Sequence, residues 1–264
     1  MKKAIRYAIY GLSVIGMLVL MGFINGNFNE EKCAEIVVKI EDLNRFGFIS
    51  EGDILEILNR EFNTPISQKI GDLNCFAMEK RLNEHAAIER ADVFISIDRK
   101  LHVTLTQRKP ILRVFTRDAS FYIDKKGRVM PLSLKYTALV PVANGNIQLS
   151  YEKLKDLTNK SVDEPDSNAL PKLYTDLIKL SQFIDNHEFW RAQIEQVYVD
   201  KESEFELIPR VGNHSIVLGG VDNLETKFNK LMIFYQKGLS KTGWNEYKTI
   251  NLKFNEQVVC TKRY

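Results

Sequence analysis

The sequence predicts an α+β protein with one N-terminal transmembrane helix, a small mixed domain, and a C-terminal, mostly antiparallel β domain with flanking helices. Three observations support this fold class. Residues 7–24 carry no charge and are nearly all apolar, and as a helix they would span about 27 Å, close to the hydrocarbon core of a bilayer. Residues 33–109 then combine helical and strand periodicities. Residues 110–260 consist mainly of short strand-like segments separated by turn signals.

The charges around the apolar stretch predict its orientation. Lys2, Lys3 and Arg6 precede it, and no acidic residue appears before Glu30. Positive charge is retained on the cytoplasmic side of a span, so we expect residues 1–6 to be a cytoplasmic tail and the rest to be exported. A cleaved signal peptide is the alternative. The core of a signal peptide is typically about 7–15 residues long and ends at a pair of small residues, which this longer stretch lacks.

The charge balance of the exported part argues against nucleic acid as a partner. The chain has 37 basic and 34 acidic residues. Three of the bases and none of the acids lie in the first 24 residues, which leaves 34 of each sign outside the membrane. Proteins that bind nucleic acid carry an excess of positive charge, so the exported part lacks that electrostatic signature.

The cysteines and histidines predict no metal site, and no cofactor motif is present. Cys33, Cys75 and Cys260 are too few and too widely spaced for a complete disulfide framework or a metal-binding pattern. Cys33 and Cys260 could pair, although nothing in the sequence requires it. The four histidines are scattered, and neither a phosphate-binding loop nor a dinucleotide fingerprint occurs. We therefore expect no cofactor and no small-molecule substrate.

The first exported unit is predicted to run strand, helix, helix, strand, strand. Ser50 and Asp53 have the spacing of a capping box at the start of the first helix, and Pro110 ends the last strand because proline lacks a main-chain donor. In the second helix Phe76 and Leu82 have suitable helical spacing, and in the strand that follows Val93, Ile95 and Ile97 alternate with Phe94 and Ser96. The elements are predicted near residues 35–40, 54–58, 76–83, 91–97 and 101–107.

The second exported unit is predicted to be mainly sheet. Turn signals such as 124–127, where Gly127 supplies a positive φ, separate its strands. Leucines at helical spacing after Pro171 predict a helix, and apolar residues from Phe228 to Tyr235 predict another. Residues 150–171 lack a steady period and should form a surface connection. Strands are predicted at residues 111–115, 120–123, 128–130, 194–199, 205–208 and 215–218.

A final strand is predicted from Lys248 to Cys260. Apolar side chains share one parity along it and polar side chains share the other, which is typical of a strand with one buried face. The apolar positions are Ile250, Leu252, Phe254, Val258 and Cys260.

Two short strings resemble parts of serine penicillin-binding enzymes. Ser150 and Lys153 fit S-x-x-K, and Lys241-Thr242-Gly243 fits K-T-G. That chemistry needs the serine at the start of a buried helix and the K-T-G on a strand beside the cleft. Here the serine opens a poorly periodic stretch, residues 166–168 do not have the S-D-N order, and about 90 residues are too few for the active-site domain of that enzyme class. We therefore predict no enzymatic activity.

Seven segments, in order along the chain, resemble those of a known family. They are Gln107-Arg108-Lys109-Pro110, Phe121-Tyr122-Ile123-Asp124 with Gly127, the segment from Leu139 to Gly145, Phe205-Glu206-Leu207, Val217-Leu218-Gly219, the segment from Lys227 to Leu231, and Ile250-Asn251-Leu252-Lys253-Phe254. Taken with a single N-terminal span, they resemble the bacterial cell-division family FtsQ, also called DivIB. Each segment alone is a weak signal, whereas their order is fairly specific.

The resemblance implies a POTRA-like domain over residues 33–109 and an FtsQ-type β domain over residues 110–260. It also implies a non-enzymatic scaffold of the division septum, held in the cytoplasmic membrane with its bulk in the periplasm. Its partners would be FtsB- and FtsL-type membrane coiled-coil proteins. The implied contact is strand pairing on a free sheet edge formed by Thr249, Ile250, Asn251, Leu252, Lys253 and Phe254.

Two features of the implied contact qualify it. The family often has arginine and tyrosine where this chain has Lys253 and Phe254, so a planar donor group and a hydroxyl are missing here. Main-chain pairing is insensitive to such side-chain changes.

A POTRA-containing export or assembly factor is the alternative function, and the serine acyl enzyme is a remote one.

Overall fold

A computed structural model describes residues 7, 10–17, 28–41, 47–158 and 170–263. The chain forms two compact units, the first ending at Gln107 and the second beginning at Arg108. Residues 10–17 are helical. Within the described ranges, no helix combines the length and the apolar character that crossing a bilayer requires. Much of the predicted span, residues 7–24, lies outside the described residues.

Within the residues described for unit 1, the strands form a three-stranded sheet. Its strands are β1 (Glu35–Glu41), β2 (Ile88–Ile95) and β3 (Lys100–Gln107), in the order β1-β3-β2. β3 pairs with β1 in parallel and with β2 in antiparallel orientation. Helices α1 (Glu51–Glu61) and α2 (Cys75–Asn83) lie between β1 and β2 in the chain. The predicted order of strand, helix, helix, strand, strand is confirmed.

The core of unit 1 lies between one face of the sheet and the two helices. Leu101, Val103 and Leu105 alternate along β3 and are fully buried, as the period of two requires. Ile54 and Leu58, four residues apart on α1, are fully buried as well. Removing each of these side chains from water contributes about 1.5–3 kcal/mol, so apolar burial is the main term that stabilises the unit.

The predicted capping box begins α1. The Ser50 side chain accepts from the amide of Asp53 at 3.4 Å, and the Asp53 carboxylate accepts from the amide of Ser50 at 2.9 Å. Two amides without helical partners are thereby satisfied, which fixes where the helix starts.

Two apolar side chains of the predicted elements in unit 1 are exposed. Phe76 lies on the outside of α2, where Met78 and Leu82 are buried in its place. Ile97 lies beyond the end of β2 in a turn and is exposed. Periodicity placed both side chains in register with buried neighbours, but it did not give the rotation of the short helix or the end of the strand.

Side chains of α2 occupy the outer edge of β2. The Asn83 amide accepts from the Ala91 N–H at 2.8 Å and donates to the Ala91 carbonyl oxygen at 3.3 Å. The Glu79 carboxylate accepts from the Val93 N–H at 3.2 Å. These main-chain groups would otherwise be available to another strand, so α2 seals this part of the edge.

The described residues of unit 2 form a nine-stranded sheet in the order β12-β11-β10-β9-β8-β7-β4-β5-β6. Five of its eight pairings are antiparallel and three are parallel. This agrees with the predicted mostly antiparallel domain. The strands are β4 (Pro110–Phe115), β5 (Ser120–Asp124), β6 (Val129–Met130), β7 (Val142–Gly145), β8 (Ile194–Val199), β9 (Phe205–Pro209), β10 (Ser215–Gly219), β11 (Tyr247–Asn251) and β12 (Val259–Lys262).

Helices flank this sheet, and their apolar faces form the larger core. Leu177, Leu180 and Ile184 are buried on the helix predicted after Pro171. Phe228 is buried on the helix predicted near the C-terminus. The helices are α3 (Tyr151–Thr158), α4 (Lys172–Asn186), α5 (Glu188–Gln193), α6 (Leu224–Phe234) and α7 (Ser240–Thr242), with one π-helical turn (Tyr235–Leu239) between the last two.

The predicted surface connection over residues 150–171 is wrong in its first part. Residues 151–158 form α3, whose Leu154 and Thr158 are buried. Tyr151, Leu154 and Thr158 share one face of this short helix, and the charged residues between them obscured that spacing in the sequence. Residues 159–169 lie outside the described residues.

An ion pair is buried where unit 2 begins. Arg108 Nη1 donates to Asp124 Oδ2 at 2.7 Å, and both side chains are about 95% shielded from solvent. The other oxygen of Asp124 accepts from the amides of Lys126 and Arg128 at 2.9 and 2.7 Å. The carboxylate therefore ties the first residue of the unit to the β5–β6 hairpin.

Candidate partner-binding edge of the C-terminal sheet

The predicted binding segment, Thr249 to Phe254, does not form a free sheet edge. Its first half belongs to β11, which pairs in parallel with β10 and in antiparallel orientation with β12. The amide of Leu252 donates to the Val217 carbonyl oxygen at 2.9 Å, which extends the pairing with β10. The predicted edge position is therefore wrong, because the main chain of this segment already has neighbours within its own sheet.

The error has a local cause. Residues 252–258 reverse the chain between β11 and β12, so the predicted single strand from Lys248 to Cys260 is two strands. Glu256 has a φ of 59° in this reversal, and the Asn251 side chain accepts from the Lys253 amide at 2.9 Å. The shared parity of the apolar residues continued through the turn, and no glycine or proline marked it.

The side chains after β11 are mostly held by unit 2 itself. Leu252 is buried, and the Lys253 ammonium donates to the Glu204 carboxylate at 2.5 Å. This hydrogen bond is the largest cause of the raised pKa of Lys253. The carbonyl oxygen of Phe254 accepts from Lys230 Nζ at 2.6 Å, whereas its ring is about half exposed. Of these three side chains, the Phe254 ring is the one that offers apolar surface to a partner.

The strand at this end of the described sheet is β12. Arg263 donates its amide N–H to the Glu246 carbonyl oxygen at 2.9 Å, so odd-numbered residues of this strand direct their main-chain groups toward β11. Successive residues of a strand point these groups to opposite sides. The N–H and C=O groups of Cys260 and Lys262 therefore point away from the sheet, where a further strand would pair.

The side chains of β12 leave this edge accessible. Val259, Thr261 and Lys262 are exposed, and Cys260 is partly buried. The Lys262 ammonium lies 3.2 Å from the Glu246 carboxylate on the β11 side. A strand of four residues with one exposed lysine is a short edge, which limits pairing with unrelated strands.

An aromatic cluster supports the base of this edge. The His214 ring is buried, and its Nε2 lies 2.9 Å from the Tyr235 hydroxyl. Trp244 packs against both rings, with its centroid 5.0 Å from that of Tyr235 and 6.3 Å from that of His214. The Arg263 guanidinium donates to the carbonyl oxygen of Asn213, next to the histidine. The end of β12 is thereby linked to the loop that the cluster holds.

Burial lowers the pKa of His214, and the charge of Arg263 lowers it further, against a hydrogen bond with the main chain of Trp244. The ring is therefore neutral at pH 7. Sequence reasoning gave no role to His214 or Trp244, because neither belongs to a recognisable motif.

The two enzyme-like strings do not form the arrangement that acyl transfer requires. Ser150 lies just before α3, and its carbonyl oxygen accepts from the Leu154 amide. Lys241 and Thr242 lie in the short helix α7, and Gly243 has a φ of 96° after it, so the K-T-G string does not form a strand. Residues 166–168 lie outside the described residues. Ser150 does open a helix, but the K-T-G string is not on a strand, so the two strings do not complete the geometry on which the remote alternative depended.

Other candidate ligands are dispersed. In the described part of the chain, no three histidine, cysteine or acidic side chains are grouped closely enough to hold a metal ion. Cys33, Cys75 and Cys260 are free thiols. Burial raises the pKa of Cys75 and of Cys260, which disfavours their reactive thiolate forms.

Two family models match the chain. The model described as FtsQ/DivIB, C-terminal related, matches residues 109–261. The model described as a POTRA-like domain matches residues 31–106. None of the curated proteins matches the chain.

Proposed function

We propose, from the premise that this chain belongs to the family described as FtsQ/DivIB, C-terminal related, that it is a non-enzymatic scaffold of the bacterial division machinery. The family model covers more than half of the chain, and the POTRA-like match accounts for most of the remainder. We infer a POTRA-like domain over residues 33–109 and an FtsQ-type β domain over residues 110–260. The sheets and cores described above suit a protein whose task is to hold binding surfaces in place.

We place the protein in the cytoplasmic membrane at the division septum. The apolar stretch of residues 7–24 would be the single span, residues 1–6 would lie in the cytoplasm, and both units would lie in the periplasm. The sequence pattern and the family's association with division support this placement.

The partners we propose are FtsB- and FtsL-type membrane coiled-coil proteins. The observation that carries the proposal is the outward direction of the main-chain groups of Cys260 and Lys262 at the end of the described sheet. A partner strand can pair there by adding itself to the sheet. Thr249, Ile250 and Asn251 lie one strand further in and support that edge, while Phe254, in the turn before β12, has a half-exposed ring.

Proline substitution separates main-chain pairing from side-chain contact. Lys262→Pro removes an outward N–H without removing a donor to β11, whereas Lys262→Ala removes only the side chain. We expect the proline variant to bind an FtsB-type partner at least tenfold more weakly than the alanine variant. Surface plasmon resonance on the full chain in nanodiscs measures both affinities.

Circular dichroism provides the control for this experiment, since both variants should retain the wild-type spectrum. Thr261→Pro, whose N–H faces β11, should instead disturb the fold. Equal binding by the proline and alanine variants at position 262, with folding intact, would refute strand pairing at this edge.

A POTRA-containing export factor remains a weaker candidate. Such a role needs a surface that accepts extended chains. In unit 1, Asn83 and Glu79 already occupy main-chain groups on one of the two sheet edges. Their presence favours a fixed scaffold over a chaperone.

A further inference from the structure

The loop between β6 and β7, residues 131–141, exposes three leucines. Leu134 and Leu139 are exposed by 107% and 99%, and Leu132 by 44%. Single exposed leucines are ordinary on a protein surface, whereas three within residues 132–139 concentrate exposed apolar side chains on one loop, and exposed apolar surface marks interaction sites. We call this segment the leucine loop.

The leucine loop is attached to the sheet at defined points. The Ala138 amide donates to the Tyr122 hydroxyl at 3.2 Å, and Ala138 itself is buried. The Pro141 carbonyl oxygen accepts from the Arg113 amide at 2.9 Å. Tyr122 and Arg113 are paired across β5 and β4, so the loop rests on one place of the sheet. The leucines are therefore presented from a fixed base.

The segment that contains the loop is strongly basic. Residues 108–150 hold eight basic and two acidic residues, a net charge of +6. The remainder of the exported chain, residues 25–107 and 151–264, holds 26 basic and 32 acidic residues, a net charge of −6. Asp124 and Arg108, one acid and one base of this segment, are buried against each other and leave its net charge unchanged. The neutral total of the exported part thus conceals a basic segment around the leucines.

We propose that the leucine loop inserts into the surface of an anionic lipid bilayer. Aliphatic side chains suit the acyl region, and exposed basic residues of the same segment, such as Lys135, suit anionic head groups. A protein partner is the poorer fit, because energetically important interface positions are enriched in tryptophan, tyrosine and arginine whereas leucine is under-represented there. Lipid contact rests on the proposed membrane tether, which keeps unit 2 near a bilayer.

An environment-sensitive fluorophore on the loop tests this proposal. The full chain is prepared with Cys33, Cys75 and Cys260 changed to serine, a single cysteine is introduced by Leu134→Cys, and nitrobenzoxadiazole is attached to it. In nanodiscs that contain phosphatidylglycerol we expect a blue-shifted, brighter emission, and in phosphatidylcholine nanodiscs an emission typical of water. A label at Ile233, which is exposed on α6, is the matched control and should report water in both.

A charge variant provides the second measurement. Lys135→Glu should weaken the blue shift of the label at residue 134. Leu139→Ser should lower the ratio of inserted to free label about tenfold. Emission typical of water in both kinds of nanodisc would overturn the proposal. Equal insertion in both would overturn the assignment to anionic lipid, and shielding that appears only after a division protein is added would identify a protein surface instead.

The proposed function and the leucine loop fail in different ways. If the proposed membrane span were wrong, the protein would not copurify with nanodiscs. A failed loop proposal would leave the chain in the nanodisc, with partner binding at β12 unchanged and the label in water.

Discussion

Removing Arg108 should destabilise unit 2 more than any surface substitution, because it leaves the Asp124 carboxylate buried without its counter-ion. The pair is separated by 2.7 Å and only about 5% of either side chain is exposed. Breaking a buried ion pair from one side typically costs about 3–5 kcal/mol. The two amides that bond Asp124, at 2.7 and 2.9 Å, remain but carry no full positive charge. We therefore expect Arg108→Met to lower the free energy of unfolding of unit 2 by about 3–5 kcal/mol.

Tryptophan fluorescence during urea unfolding measures this change for unit 2 alone. Both tryptophans of the chain, Trp190 and Trp244, lie in this unit. With a slope of about 2 kcal/mol per molar urea, a loss of about 4 kcal/mol moves the midpoint down by about 2 M.

The double variant Arg108→Met with Asp124→Asn distinguishes the buried charge from lost packing. Asparagine keeps an oxygen that accepts from the amides of Lys126 and Arg128, but it carries no charge. We expect the double variant to recover at least half of the fall in the urea midpoint. A single variant that unfolds within about 0.3 M of the wild type, or a double variant no better than the single one, would refute the electrostatic explanation.

Two further predictions concern other parts of the structure. Because burial lowers the pKa of His214, unit 2 should have its full stability above the unfolded pKa near 6.5 and lose stability as the pH falls below it. His214→Gln should reduce the difference between the urea midpoints measured at pH 7.5 and at pH 5.5. An unchanged difference would contradict the claim that a buried, neutral His214 ring causes the pH dependence. In unit 1, Asn83→Ala with Glu79→Ala should expose the edge of β2. Faster amide exchange at Ala91 and Val93 would show this, and unchanged exchange would contradict it.

Local signals in the sequence were sufficient for most of the fold. The Ser50 and Asp53 spacing placed the start of α1, and alternation along residues 101–107 identified β3 and its buried face. Gly127, with a φ of 72°, marked the turn between β5 and β6. Each of these features depends on residues close in sequence, so a periodicity or a turn residue reveals it.

The candidate site depended on information that is not local. Thr249 to Phe254 was predicted from family resemblance, but the free edge of the sheet depends on which strand pairs last. Parity could not reveal that the chain reverses at residues 252–258 before β12 forms. The basic segment around the leucine loop was likewise hidden, because the charge balance was taken over the whole exported chain.

Amide hydrogen exchange at β12, with and without a saturating FtsB-type partner, tests the central claim most directly. We predict that the outward amides of Cys260 and Lys262 exchange quickly in the free protein and become strongly protected in the complex. Val259 and Thr261, whose amides face β11, should change much less. Binding that leaves Cys260 and Lys262 unprotected while another surface becomes shielded would contradict the proposed edge.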